Sequence, residues 1–133
     1  MYEKPLPAID VESRSFWQAA REHRLEIMRC RGCGKHFFYP CELCPFCHGD
    51  AAERVTASGR GTIYTFTIAR RPAGPAFKPD VPYVVALVEL EEGPRMMTNI
   101  VTKDVASVRI GQTVQAVYEA VTDEVTLVKF AVV

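Results

Sequence analysis

Residues 30–47 have the sequence CRGCGKHFFYPCELCPFC, and this stretch decides the fold of the first third of the chain. Cys30 and Cys33 form one C-x2-C pair, and Cys44 and Cys47 form a second pair after ten intervening residues. Two residues between ligands let both sulfurs reach one ion from a single tight turn, where backbone amides donate to the thiolates. Four thiolates also close the coordination shell. The spacing therefore predicts a structural zinc site of the ribbon type, not a catalytic one.

Four thiolates can bind either zinc or iron, and the chain has a fifth cysteine, Cys41, close to the four candidate ligands. Iron in a rubredoxin-like site uses the same four thiolates, and zinc is expected because nothing in the sequence indicates a role for iron. Cys41 also forms a C-x2-C pair, with Cys44, but the two residues between them include no Pro or Gly of a knuckle turn, unlike in the other two pairs. We therefore predict that Cys41 is not a ligand. His48 follows the last ligand and is expected to be a polar turn residue.

Composition narrows the class of protein. The chain has 133 residues, of which 48% are hydrophobic, and its 16 Lys and Arg balance its 16 Asp and Glu. This neutral balance argues against binding to nucleic acid or to an anionic membrane surface, because proteins that bind them usually carry an excess of positive charge. Residues 1–10 have no apolar core of a secretory signal, and the longest apolar run, Val84–Val88, is too short to cross a bilayer. We expect a cytoplasmic protein with reduced cysteines and no membrane partner.

The first part of the chain is predicted to contain a helix. Residues Asp10–Leu25 show helical periodicity, and Asp10 is suited to cap the first turn. Phe16 and Trp17 lie on the apolar stripe of this helix. They are expected either to pack on the chain's own domain or to dock on a partner protein, because aromatic anchors favour interfaces. Phe16 and Trp17 are therefore the candidate partner-interface residues.

The pattern changes to strands from Arg60 onward. In Thr62–Ala69 large apolar residues alternate with threonines, which predicts Tyr64, Phe66 and Ile68 on one face of a strand. Tyr83–Leu90 is predicted to be a strand buried on both faces. The remaining predicted strands are Arg95–Val101, Gln112–Ala120 and Val125–Val132. Five short strands separated by turn signals favour a small antiparallel barrel of the OB type.

These segments predict a mainly β chain in three parts. The parts are an N-terminal helical segment (1–27), a rubredoxin-like zinc ribbon (28–55) and a five-stranded OB-fold barrel (56–133).

The sequence holds no evident set of catalytic residues. The motifs G-x-S-x-G, H-E-x-x-H and the P-loop are missing from the sequence. The loop 70–82 holds four prolines and three cations, Arg70, Arg71 and Lys78. These cations are candidate ligands for the phosphates of coenzyme A, because the first loop of an OB barrel often borders the ligand face. The alternative is a rigid, solvated loop with ordinary surface charges.

Several motifs together carry a resemblance to a known family. They are Phe16-Trp17, Cys30-Arg-Gly-Cys33-Gly34, Phe37-Phe-Tyr-Pro40, Cys44-Pro-Phe-Cys47, Ser58-Gly-Arg-Gly-Thr-Ile-Tyr64 and Pro82-Tyr-Val-Val-Ala86. The chain resembles the zinc-ribbon and OB-fold acyl-CoA-associated family, long catalogued as a domain of unknown function. It departs from the family at Cys41, where arginine is frequent, and at His48, where glycine is frequent.

The resemblance implies a function that the residues alone do not. Members of the family are typically small partners of thiolases, hydroxymethylglutaryl-CoA synthases, acyltransferases or aldolases. A non-catalytic accessory subunit is therefore expected, which stabilises a thiolase-like catalytic subunit in a hetero-oligomer and helps to hold or shield the CoA ester. Three alternatives stay open: an accessory domain of an enoyl-CoA hydratase, a nucleic-acid-binding ribbon and barrel module, and a stand-alone CoA-ester hydrolase.

Overall fold

The computed structural model describes residues 2–133. Within this range it contains one α-helix, eight strands and two short 3-10 helices. The helix is α1 (Arg14–Arg21), and the strands are β1 (Glu26–Cys30), β2 (His36–Phe37), β3 (Ala52–Thr56), β4 (Arg60–Ala69), β5 (Tyr83–Leu90), β6 (Arg95–Ile100), β7 (Thr113–Ala120) and β8 (Thr126–Val132). The 3-10 helices are Pro75–Asp80 and Val105–Ser107.

Helix α1 is shorter than the predicted Asp10–Leu25, because a capped turn at residues 10–13 precedes it and the left-handed residue His23 follows its end. At the start, Asp10 and Ser13 cap each other: the Ser13 amide donates to Asp10 Oδ1 at 2.8 Å, and the Asp10 amide donates to Ser13 Oγ at 3.1 Å. At the end, His23 adopts a left-handed φ of 60°, and Arg24 N donates to Ala19 O at 2.9 Å. Leu25 O then accepts a hydrogen bond from the Ala57 amide at 2.8 Å, next to the first pair of β1 and β3.

Strands β1, β2 and β3 form the small antiparallel sheet of the ribbon, in the order β2-β1-β3. Its first strand begins at Glu26, two residues before the predicted start of the ribbon at residue 28. A small cluster of buried residues, separate from the core of the barrel, holds this part of the chain together: Met28, Cys30, Phe37 and Cys44. Two of these four residues are metal-ligand candidates, so a metal is expected to supply much of the stability of the ribbon.

Strands β4 to β8 form a closed five-stranded barrel in the order β4-β5-β6-β8-β7. The predicted mainly β fold with an OB barrel is confirmed, but the barrel is not wholly antiparallel. Strand β8 lies between β7 and β6 and runs parallel to β6, with Ile100 opposite Phe130. The reason is topological: successive strands alternate in direction, so the third and fifth barrel strands point the same way where they meet.

One core joins the barrel to the rest of the chain. Phe130, Ile63 and Val114 are almost completely buried inside the barrel. Phe16 of α1, with 8% of its surface exposed, belongs to the same cluster, and Phe38 of the ribbon packs against it. The helix and the ribbon are therefore held against the barrel by apolar burial.

A bulge in β4 corrects the predicted faces of that strand. Ile63 pairs with Val88 and Thr65 with Leu87, so one extra residue, Tyr64, lies between the two pairs. The extra residue reverses the alternation: Ile63 is 1% exposed, whereas Tyr64 is 46% exposed. The prediction that Tyr64 shares a face with Phe66 and Ile68 is therefore wrong.

Strand β5 also differs from its prediction. Its buried residues alternate with half-buried ones, so only one face is fully buried.

None of the helices in residues 2–133 is long and apolar enough to cross a membrane.

Candidate metal centre and interaction surfaces

The structure brings four cysteine sulfurs together. The Sγ atoms of Cys30, Cys33, Cys44 and Cys47 all lie within 4.8 Å of one another. Two of these distances, Cys30 to Cys47 and Cys33 to Cys44, are 3.6 Å. A tetrahedral zinc ion with Zn–S bonds of about 2.3 Å holds its sulfurs about 3.8 Å apart. The four side chains therefore fit a zinc ion with little rearrangement.

The first pair of ligands lies on a tight turn at the end of β1. The Cys30 amide donates to Lys35 O at 2.9 Å, and the Gly34 amide donates to Cys30 O at 2.7 Å. Gly34 has a φ of 79°, in the left-handed region that glycine adopts without a steric cost. This turn exposes Cys33 and buries Cys30.

The second pair of ligands lies on a turn of the same form. The Cys44 amide donates to Gly49 O at 2.9 Å, and the His48 amide donates to Cys44 O at 2.8 Å. His48 has a φ of 63°. It therefore occupies the left-handed position that Gly34 occupies in the first turn, and the prediction of a turn residue is confirmed.

Backbone amides prepare the buried sulfurs to ionise. Cys44 Sγ accepts from the Phe46 amide at 3.4 Å. Burial raises the pKa of Cys44, but the amides of Cys47 and Phe46 outweigh it and lower that pKa to about 7. The Cys33 amide, which donates to Cys30 Sγ at 3.5 Å, likewise lowers the pKa of Cys30.

Cys47 shows the opposite shift. The Gly49 amide lowers the pKa of Cys47, but the neighbouring Cys30 sulfur, burial and the other two sulfurs outweigh it and raise that pKa to about 11. Four thiolates at these distances repel one another. A divalent cation removes this repulsion, so the donor set fits a bound metal.

Cys41 stays outside this group of sulfurs. Its thiol donates to the Leu43 carbonyl at 3.1 Å. Burial, followed by the charge of Glu12, raises the pKa of Cys41. Cys41 is thus held as a neutral thiol beside the metal centre.

A cavity of about 300 Å³ lies at one side of the barrel. Its lining residues include Tyr83 of β5, Asn99 of β6 and Lys129 of β8. Lys129 pairs with Glu119 at 2.9 Å, so its charge is balanced within the cavity. The loop between the first two strands of the barrel borders this cavity, as expected for an OB ligand face.

The three candidate cations of loop 70–82 do not line this cavity. Arg70, Arg71 and Lys78 are exposed, and none of them forms an ion pair within residues 2–133. The loop contributes Phe77 and Asp80 to the cavity instead. The role of the three cations in CoA binding stays a prediction.

The two aromatic residues of α1 have different environments. Phe16 is buried, and its ring meets the rings of Trp17 and Phe38 edge-on at centroid distances of 5.0 and 5.7 Å. Its packing matches the interpretation that the helix packs on its own domain. Trp17 is half-buried and lines a surface groove.

This apolar groove, of about 190 Å³, lies between α1, the ribbon and the barrel. Beside Trp17 it is lined by Phe38, Tyr39, Met96 and Met97. Tyr39 is 71% exposed and Met97 is 70% exposed. Nothing in the sequence indicates that Tyr39 and Met97 share one groove, because the ribbon and β6 meet only in the folded chain.

Comparison with known proteins identifies the family. The model "ChsH2, rubredoxin-like zinc ribbon domain" matches residues 17–53, and the model "ChsH2, C-terminal OB-fold domain" matches residues 54–119. A "DUF35 domain-containing scaffold protein" of Methanothermobacter thermautotrophicus is 36% identical over 112 residues, which cover 84% of each chain. The chain belongs to the DUF35 family. The resemblance inferred from the sequence motifs is thereby confirmed.

Two further proteins are similar to this chain over almost its whole length. The solved structure "Ltp2-ChsH2(DUF35) aldolase" contains a chain with 37% identity and a TM-score of 0.83, and the match covers 96% of this chain and 98% of that one. The "Probable enoyl-CoA hydratase alpha subunit" of Thermomonospora curvata is 38% identical over 127 residues. These residues are 96% of this chain but only 39% of that protein.

Proposed function

We propose that this DUF35 chain is a non-catalytic accessory subunit of an acyl-CoA-processing enzyme. The favoured partner is a thiolase-type enzyme that makes or breaks carbon–carbon bonds. The observation that carries the proposal is the match over nearly the full length of both chains to a member of an assembly described as an aldolase. The similarity to the scaffold protein of Methanothermobacter thermautotrophicus supports the same role.

The chemistry of the metal centre is compatible with a structural role. Four thiolates leave a zinc ion no open position for water or substrate. The ion would hold the two cysteine turns against β1 and so shape the ribbon. The residues that perform the reaction would then belong to the catalytic subunit.

The loop 70–82 would help to hold the CoA ester. CoA carries several phosphate charges, and the exposed Arg70, Arg71 and Lys78 have no carboxylate partner within residues 2–133. Four prolines restrict the loop and lower the entropy lost when it binds a ligand. The cavity beside the loop would shield the acyl part of the ester.

A second candidate is an accessory domain of an enoyl-CoA hydratase. It is favoured by the relative from Thermomonospora curvata, whose description names such an enzyme and whose length exceeds that of this chain. Both candidates place the chain beside an acyl-CoA enzyme. They differ in the reaction that the partner performs.

Affinity capture tests both candidates. The tagged chain is used to isolate its binding partners from native cell extract, and the retained proteins are identified by mass spectrometry. A near-stoichiometric thiolase-like protein supports the first candidate, and a hydratase subunit supports the second. Each is then assayed with its acyl-CoA substrates, with and without this chain. Recovery of nucleic acid or ribosomal proteins in place of an acyl-CoA enzyme would overturn the proposal.

A further inference from the structure

Trp17 separates two surface features. On one side lies the apolar groove, and on the other lies a cleft of about 160 Å³. The cleft is lined by Ile9, Arg14, Trp17, Gln18, Arg21 and Glu124. Arg14, Gln18 and Arg21 follow the spacing i, i+4 and i+7, which places them on one face of α1.

The cleft has an excess of positive charge. Arg14 and Arg21 are exposed, and neither forms an ion pair within residues 2–133. Five other arginines of the chain pair with carboxylates. Glu124, in the turn between β7 and β8, is the one carboxylate that lines the cleft. With one carboxylate and two guanidinium groups the cleft has a net positive charge, which favours an acidic partner.

The groove and the cleft offer complementary chemistry side by side. The groove presents aromatic and methionine side chains, which are enriched at the centres of protein interfaces, whereas the cleft presents arginine, which is enriched there too. Arg14 and Arg21 are seven residues apart on α1, so their Cα atoms are separated by about 10 Å along the helix axis. A partner with two carboxylates at a similar separation can pair with both.

We propose that the groove and the cleft form one docking surface, centred on Trp17, for an acidic amphipathic segment of the acyl-CoA enzyme subunit. Apolar side chains of this segment occupy the groove, and its carboxylates pair with Arg14 and Arg21. This inference rests on the proposed accessory function and adds to it the surface that makes the contact.

The sequence supplies a probe at the centre of this surface. Trp17 is the only tryptophan in the 133-residue chain. Labelling the chain with 5-fluorotryptophan therefore produces one fluorine NMR resonance. Addition of the purified acyl-CoA enzyme subunit retained by the tagged chain is expected to shift or broaden this resonance.

Variants separate docking from folding. Arg14→Glu and Arg21→Glu together are expected to weaken the affinity for that subunit by at least about tenfold, because both pairings become repulsive. The double change has opposite effects at the two ends of the helix dipole, so its net effect on α1 is small. Met97→Ser tests the groove. Met97 is 70% exposed, so its truncation opens no internal cavity.

A matched control comes from the same chain. Lys103 is exposed and lines neither the groove nor the cleft. Lys103→Glu makes the same charge change as either single arginine variant, and its affinity is expected to stay within about twofold of the wild type.

The outcomes distinguish this inference from the function on which it rests. If the tagged chain retains no acyl-CoA enzyme, the proposed function fails and the docking surface fails with it. If the subunit is retained but the Trp17 resonance and the variant affinities do not change, only the docking surface is wrong. If CoA or pyrophosphate alone shifts the resonance and Arg14→Glu abolishes that shift, the cleft is a small-anion site, and the protein-docking proposal is overturned.

Discussion

His48 occupies the same position in the second cysteine turn that Gly34 occupies in the first. Each amide donates to the carbonyl of the first cysteine of its pair, and the φ angles are 63° and 79°. A residue with a β-carbon loses about 1–2 kcal/mol in this conformation, whereas glycine does not. The two turns therefore have the same geometry but differ in backbone strain.

Replacing His48 is the first test of this relationship. We expect His48→Gly to stabilise the folded chain by about 0.5–1 kcal/mol, because relief of strain exceeds the extra entropy of glycine in the unfolded state. Thermal unfolding with zinc bound is the measurement. His48→Ala is the control, since it keeps the β-carbon and is expected to melt close to the wild type. If His48→Ala stabilises as much as His48→Gly, the side chain and not the backbone is the cause.

Gly34→Ala tests the same position in the other turn. A β-carbon there meets no atom within 4 Å, so its cost is conformational only. We expect a loss of about 1 kcal/mol in the free energy of unfolding. An unchanged midpoint of thermal unfolding would contradict the assigned φ.

The metal centre is tested by removing one ligand. We expect the wild-type chain to bind one zinc ion and Cys44→Ser to lose most of its affinity, because a serine hydroxyl cannot replace one of the four thiolate ligands. Metal analysis and circular dichroism, before and after chelation, are the measurements. Cys41→Ser is the matched control and is expected to keep its zinc. Loss of zinc in Cys41→Ser would mean that the ligand set is wrong.

The close approach of β4 to β5 is tested at Gly61, near the start of β4. A β-carbon at this residue would lie 2.5 Å from Glu89 O and 2.9 Å from Val88 Cγ1. Because one of these atoms is backbone, we expect Gly61→Ala to destabilise the chain by about 2–3 kcal/mol. Gly74→Ala is the control, since a β-carbon there meets open space and the φ of −176° suits any residue. Equal unfolding midpoints for the two variants would contradict the close approach of β4 and β5.

The loop cations are tested in the intact complex with the partner. We expect Arg70→Glu and Arg71→Glu together to weaken CoA-ester affinity by about tenfold, because reversed charges repel the phosphates. Isothermal titration calorimetry at low salt is the measurement, and Lys103→Glu is again the control. Unchanged affinity in the double variant would remove these residues from the CoA site.

Much of the fold follows from local patterns in the sequence. The two C-x2-C pairs predict the ribbon because ligand spacing is a local property of the chain. The alternation after Arg60 predicts the number and approximate bounds of the barrel strands for the same reason, since side chains alternate within each strand. The four metal-ligand candidates and the family resemblance needed no tertiary information.

The tertiary structure decided the features that depend on pairing between distant segments. The bulge at Tyr64 comes from the register of β4 against β5, and the parallel pair of β6 and β8 comes from barrel closure. The groove at Trp17 exists only when α1 and the ribbon are folded against the barrel, because its lining residues come from all three. Register, barrel closure and the groove are set by the summed packing of many residues. No short stretch of sequence contains that information.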